Sequence, residues 1–119
     1  MMRGEIWWVD FGLPFGSEPG FKRPAVIIQA DAFNQSKINT VIIVPLTTNL
    51  ALARAPGNIF APKEKTKLRK DSVAVISQIA VIDKKRLLKK HSKLGEDILN
   101  EIEEGLLLIL GLNKIYKTA

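Results

Sequence analysis

The spacing of apolar residues changes once along this chain. Up to residue 83 they alternate with polar ones or gather in short runs, the habit of strands; beyond Gly95 they recur three and four apart, the habit of a helix. Residues 3–11 (RGEIWWVDF) predict a first strand, with Ile6, Trp8 and Asp10 on one face and Glu5, Trp7, Val9 and Phe11 on the other. Neighbouring tryptophans on opposite faces imply that both faces are at least partly covered, as in a small barrel or at a dimer contact. Residues 12–22 hold three glycines and two prolines and predict a loop.

That loop runs into a second strand, residues 23–31 (RPAVIIQAD), where Pro24 favours an edge or the strand's opening position. A single helical turn or plain turn (32–39) leads to a third strand, 40–48 (TVIIVPLTT), apolar enough to be central, with a bulge expected at Pro45. Residues 51–58 read as a connection and 58–63 as a short strand. Residues 63–70 (KEKTKLRK), with five cations against one anion, read as a solvated basic turn. The longest β pattern, 71–83, sets Val73, Val75 and Ser77 against Ala74, Ile76 and Gln78; a strand of that length is expected to bend and serve two parts of a barrel. Residues 84–94 predict a helical turn and loop. In the final helix Ile98, Ile102, Leu106 and Ile109 form a stripe, with Glu96 and Asp97 suited to its start and Gly111 to its end. The expectation is one domain over residues 1–119, mainly β with α: a small barrel capped by a C-terminal helix and joined by short helical turns.

Composition narrows the chemistry. With no cysteine there are no disulfides, thiolate metal sites or cysteine nucleophiles. His91, the one histidine, sits among lysines and reads as a solvated surface residue, so no metal and no cofactor is expected. The amino terminus lacks signal-peptide form and the run LLLIL is too short to span a bilayer, which predicts a cytoplasmic protein with no membrane partner. The net charge of +6 is uneven: residues 1–95 carry sixteen basic and seven acidic side chains, and residues 96–119 carry two and five. A basic body with an acidic last helix points to a polyanionic partner, nucleic acid before membrane.

The candidate chemistry gathers in GSEPGFKRPAVIIQ, residues 16–29, where a mobile loop meets a strand at Arg23. A guanidinium fixed at a strand mouth suits a phosphate, or the charge a phosphate gains while reacting; the alternative is a strand-end arginine pointing into water. Thr47, Thr48 and Asn49, small polar residues after a buried strand, are a turn or a site lining. Gln78 interrupts an apolar face and is expected to have a partner. Phe15, Phe21 and Trp8 are candidates for stacking unpaired bases, with core packing as the competing role.

Taken in order, RGEIWWVDF, GSEPGFKRPAVIIQAD, TVIIVPLTTN, DSVAVISQIAVIDKKRL and the closing LGL resemble the MazF/PemK (Kid-like) toxins of bacterial toxin–antitoxin pairs, over nearly the whole chain. The resemblance implies an SH3-like small β-barrel with a C-terminal helix, a homodimer, and a sequence-specific, metal-independent endoribonuclease that cuts single-stranded RNA within short sequences. It places the family's catalytic arginine on Arg23, its catalytic threonine on Thr47 and its RNA-contacting glutamine on Gln78. The loop carrying Glu18, Phe15 and Phe21 would fold over the RNA or over an acidic antitoxin, with Gln29, Thr48 and Asn49 as further substrate contacts. Many members carry arginine two residues beyond the glutamine, where this chain has Ala80. The alternative activity is a non-catalytic barrel toxin or RNA-binding module resembling gyrase poisons. Glu18 and Asp31 are the nearest carboxylates to Arg23 in sequence, and neither sits in a pattern that marks a general base.

Overall fold

The computed structural model describes residues 1–112. Its strands are β1 (Glu5–Asp10), β2 (Lys22–Ile27), β3 (Thr40–Thr47), β4 (Ile59–Ala61), β5 (Ser72–Ala74), β6 (Ala80–Asp83) and β7 (Leu87–Lys93). Two four-residue helical turns, α1 (Asp31–Asn34) and α2 (Lys63–Thr66), and the closing helix α3 (Glu96–Leu110) complete it, with 3-10 turns between. The strands pair antiparallel in the order β4-β5-β3-β2-β1-β7, and β6 also lies on β3.

The central strands are buried on both faces, which is why VIIVPL reads as a run rather than an alternation. Val26 and Val44, paired across β2 and β3, join Ile6, Leu46 and Ile76 beneath Ile98 and Ile102 of α3. One residue along, Ala25, Ile27 and Ile43 turn to a second cluster with Val9, Val41 and Ile82. β1 divides as expected, Ile6 into the first cluster and Trp7 and Val9 into the second.

Residues 71–83 bend as expected. β5 pairs with Leu46 and Thr47 at the end of β3, β6 pairs with its first four residues, and a 3-10 turn (Ile76–Gln78) makes the step between them. At that step the Pro45 carbonyl accepts from Val75 N at 2.9 Å.

The helical turn expected within residues 84–94 forms, but the loop expected after it is a strand. A three-residue turn (Lys84–Arg86) is followed by β7, seven residues paired with β1. β7 lies at the sheet's edge with most of its side chains in water, and such strands carry charge, here Lys89, Lys90 and Lys93, instead of an apolar alternation. Two side chains of β7 reach toward the far end of the sheet: Ser92 Oγ donates to the Thr66 carbonyl at 2.6 Å, and His91 Nε2 lies 2.9 Å from that of Lys67. The seven-stranded sheet thereby curls toward a barrel without a complete ladder. Among the described residues no helix is long and apolar enough to cross a membrane.

Candidate active site

Ala25, Val26 and Ile27 of β2 face Pro45, Val44 and Ile43 of β3. Two residues further, that register sets Arg23 opposite Thr47, but Pro24 has no N–H to donate and the ladder has already ended. Both side chains line one cavity of about 500 Å³. Its floor is an apolar cross-strand row, Trp8, Pro24 and Leu46, and its opposite wall is Lys67, Leu68, Arg69, Lys70 and Ser72. Lys22 and Thr48 stand with Arg23 and Thr47, and His91 closes the side nearest β7. Among the described residues, five cations and no carboxylate line the space, so its field favours an anion.

Arg23 is aimed by the loop before it. Its Nε donates to the Gly20 carbonyl at 3.1 Å. Gly20 is wedged against Pro14, where a Cβ would fall 2.5 Å from the ring's Cδ. Among the described residues Arg23 has no ion-pair partner, which leaves its terminal N–H groups for a ligand. Thr47 Oγ1 accepts from Asn49 N at 3.2 Å, which keeps the hydroxyl hydrogen free to donate.

The other expected site residues fall outside this lining. Gln29 Nε2 donates to Asn34 Oδ1 at 3.1 Å and to the Thr40 carbonyl at 3.3 Å, tying α1 to β3. Asn49 Oδ1 caps the turn Leu50–Arg54, accepting from Ala51 N at 3.3 Å. Gln78 finds its partner in the loop: Nε2 donates to the Ser17 carbonyl at 3.1 Å. Phe15 is 84% exposed and Phe21 61% exposed, beside an exposed Glu18. Phe21, held at φ 61, lines a shallower depression with Asp10, Gly12, Leu13 and Lys22; Lys22 is shared with the main cavity.

Neither carboxylate near Arg23 in sequence reaches the cavity. Asp31 accepts from Arg3 N at 2.7 Å and from Asn34 Nδ2 at 3.0 Å, bonds that hold it below the usual carboxylate range. The residues that sequence reasoning missed are His91, Lys67, Arg69 and Lys70. The basic run was visible as charge, but only the fold turns it toward Arg23. Among the described residues no three His, Cys, Asp or Glu side chains are grouped to hold a metal ion.

Comparison with known proteins bears on the family and the fold. Residues 2–110 match the family described as PemK-like, MazF-like toxin of type II toxin-antitoxin system. The chain is 39% identical over 110 residues to endoribonuclease MazF2 of Mycobacterium bovis and, equally, to endoribonuclease MazF6 of Mycobacterium tuberculosis, covering 92% of this chain and 96% of either relative. Similar folds are an endoribonuclease in complex with its cognate antitoxin from a mycobacterial species (TM-score 0.76, 22% identity, 94% of this chain and 96% of that one). MazF of Deinococcus radiodurans is another (TM-score 0.76, 23% identity, 93% and 96%). The family match over residues 2–110 and 39% identity over 92% of the chain show that it belongs to the MazF-like, PemK-like toxins of type II toxin–antitoxin systems.

Proposed function

We propose that the cavity is the active site of an endoribonuclease that cuts single-stranded RNA without a metal ion. The observation that carries this reading is the convergence of Arg23 and Thr47 on one cation-lined space; the relatives named as endoribonucleases at 39% identity support it. RNA brings its own nucleophile. The O2′–P bond forms as the P–O5′ bond breaks, leaving a 2′,3′-cyclic phosphate and a 5′-hydroxyl. Arg23 stabilises the charge gathering on the non-bridging oxygens, a role its permanently protonated side chain suits, and Thr47 donates its hydroxyl hydrogen to the same group. The 2′-hydroxyl proton passes to water at the open mouth, and water protonates the leaving oxygen, to which an Arg23 N–H donates a hydrogen bond.

The loop with Phe15, Glu18 and Phe21, fastened by Gln78, folds over the bound strand. An acidic antitoxin segment blocks the site by competing for the same cations, in line with the antitoxin complex formed by a protein of similar fold. Exposed Leu107, Leu108, Leu110 and Leu112 at the end of α3 supply apolar surface for a homodimer.

Incubation with a long single-stranded RNA in EDTA, followed by end mapping, tests the activity. Cyclic-phosphate ends that Arg23→Ala abolishes are expected; intact RNA removes the proposal. The absence of a carboxylate from the cavity lining favours one other reading, a barrel that binds RNA without cutting it. An RNA gel shift with no cleavage products would identify it.

A further inference from the structure

The β7 side of the cavity takes no part in that chemistry. β1 separates β7 from β2. At about 4.8 Å per strand, and with His91 beside Ile6 and Trp7 while Arg23 lies opposite Val9, the backbone of His91 stands at least roughly 10 Å from that of Arg23. That span is long for a proton transfer at a phosphate held by Arg23, and it matches the reach from a phosphate to the base of an adjoining nucleoside.

The ring of His91 is prepared for such a base. The Lys67 carbonyl can only accept, so the contact at 2.9 Å puts a hydrogen on Nε2 and leaves Nδ1 as the ring nitrogen turned to a ligand, an acceptor in that tautomer. Lys67 holds a left-handed backbone, φ 66, at the end of α2, which fixes the direction of that carbonyl. The imidazole stands edge-on to Trp8, with ring centroids 6.3 Å apart and planes at 85°. A flat aromatic surface and a hydrogen-bond acceptor thus meet over the apolar floor of Pro24 and Leu46.

We propose that this end of the cavity is a nucleobase subsite. It takes one unstacked base of single-stranded RNA beside the cut phosphate, stacked on Trp8, with a base-edge N–H donated to His91 Nδ1. This deepens the ribonuclease reading and rests on it. Charge complementarity selects the occupant, because the cations around the apolar floor attract a phosphate-linked base.

The experiment uses the full chain and a pool of RNAs randomised on both sides of the cut, with product ends sequenced for wild type, His91→Asn and His91→Gln. Asparagine places an acceptor oxygen where Nδ1 stands, and glutamine a donor N–H where Nε2 stands. The wild type is expected to prefer particular bases at one flanking position by about fivefold or more, the worth of one hydrogen bond. H91N keeps that preference and H91Q flattens it. The reverse pattern, kept by H91Q and lost by H91N, would show that His91 only tethers the Lys67 segment and overturns the proposal, as does a preference that neither variant alters. Binding of uncleavable 2′-O-methyl oligonucleotides, read by tryptophan fluorescence, separates the two readings. Base- and His91-dependent binding without any cleavage overturns the nuclease and leaves the subsite; cleavage with no His91-dependent base preference overturns the subsite alone.

Discussion

Replacing Glu5 with glutamine tests how the edge strand is fastened to the sheet. Glu5 is 5% exposed on β1. Its Oε1 accepts from Met2 N at 2.8 Å and from Trp7 Nε1 at 3.0 Å, and its Oε2 pairs with Lys90 Nζ of β7 at 2.9 Å. Burial by itself pushes the carboxyl up, but the Trp7, Met2 and Lys90 donors together bring it from its ordinary 4.5 down to about 2. A folded state that binds the proton more weakly than the unfolded chain gains stability above about pH 5 and loses it as the pH falls toward 2. A displacement of that size corresponds to at most roughly 3 kcal/mol. Glu5→Gln keeps the shape and one acceptor oxygen but removes the charge. In urea unfolding followed by tryptophan fluorescence at fixed protein concentration, the variant should be less stable than wild type at pH 7 by up to roughly 3 kcal/mol. The gap should close on titration toward pH 2. Parallel stability curves for the two proteins, or a gap that widens in acid, would refute the reasoning.

Three further substitutions probe separate parts of the structure. Gly20→Ala forces a Cβ to within 2.5 Å of the Pro14 ring and shifts the carbonyl that aims Arg23; RNA cleavage should fall by up to about a hundredfold with only a small change in melting temperature, and full activity would contradict this. Gly105→Ala drives a Cβ into the Gly57 carbonyl and to 3.1 Å from Ile76 Cγ1, so α3 should dock less well and urea stability should fall by about 1–3 kcal/mol; an unmoved midpoint would show that the helix can shift freely. Changing Lys67, Arg69 and Lys70 together to glutamine should weaken binding of 2′-O-methyl RNA, measured by anisotropy, and make its logarithmic salt dependence shallower by about two; an unchanged slope would mean that this wall does not meet the strand.

The sequence carried the strands with apolar periodicity and the final helix, because their burial is written in every second or every third and fourth residue. It carried Arg23 and Thr47 as candidates, and the β2–β3 register sets them across from each other. β7 was not legible. A strand paired on one edge and wet elsewhere leaves no apolar pattern, and Leu87 to Lys93 resembles a solvated loop until β1 is seen to pair with it. His91 is exposed, as its lysine-rich surroundings implied, but only the pairing brings it beside Trp8. Lys67, Arg69 and Lys70 were legible as charge but not as the wall of a cavity, because α2 and its left-handed end decide where they face. Gln29 and Asn49 lie outside the cavity lining, and their amides hold the local fold.

The central claim is that Arg23 stabilises charge on a phosphorus attacked by the neighbouring 2′-hydroxyl. It is tested most directly by single-turnover cleavage in EDTA of one RNA and of the same RNA bearing a single 2′-deoxy residue at the cut, by wild type and Arg23→Ala. The account predicts cutting of the all-ribose strand by wild type, a loss of at least about a hundredfold in Arg23→Ala with uncleavable RNA still bound, and no cutting of the deoxy-substituted strand by either protein. Cleavage of the deoxy-substituted strand, or an Arg23→Ala rate equal to that of wild type, would contradict it.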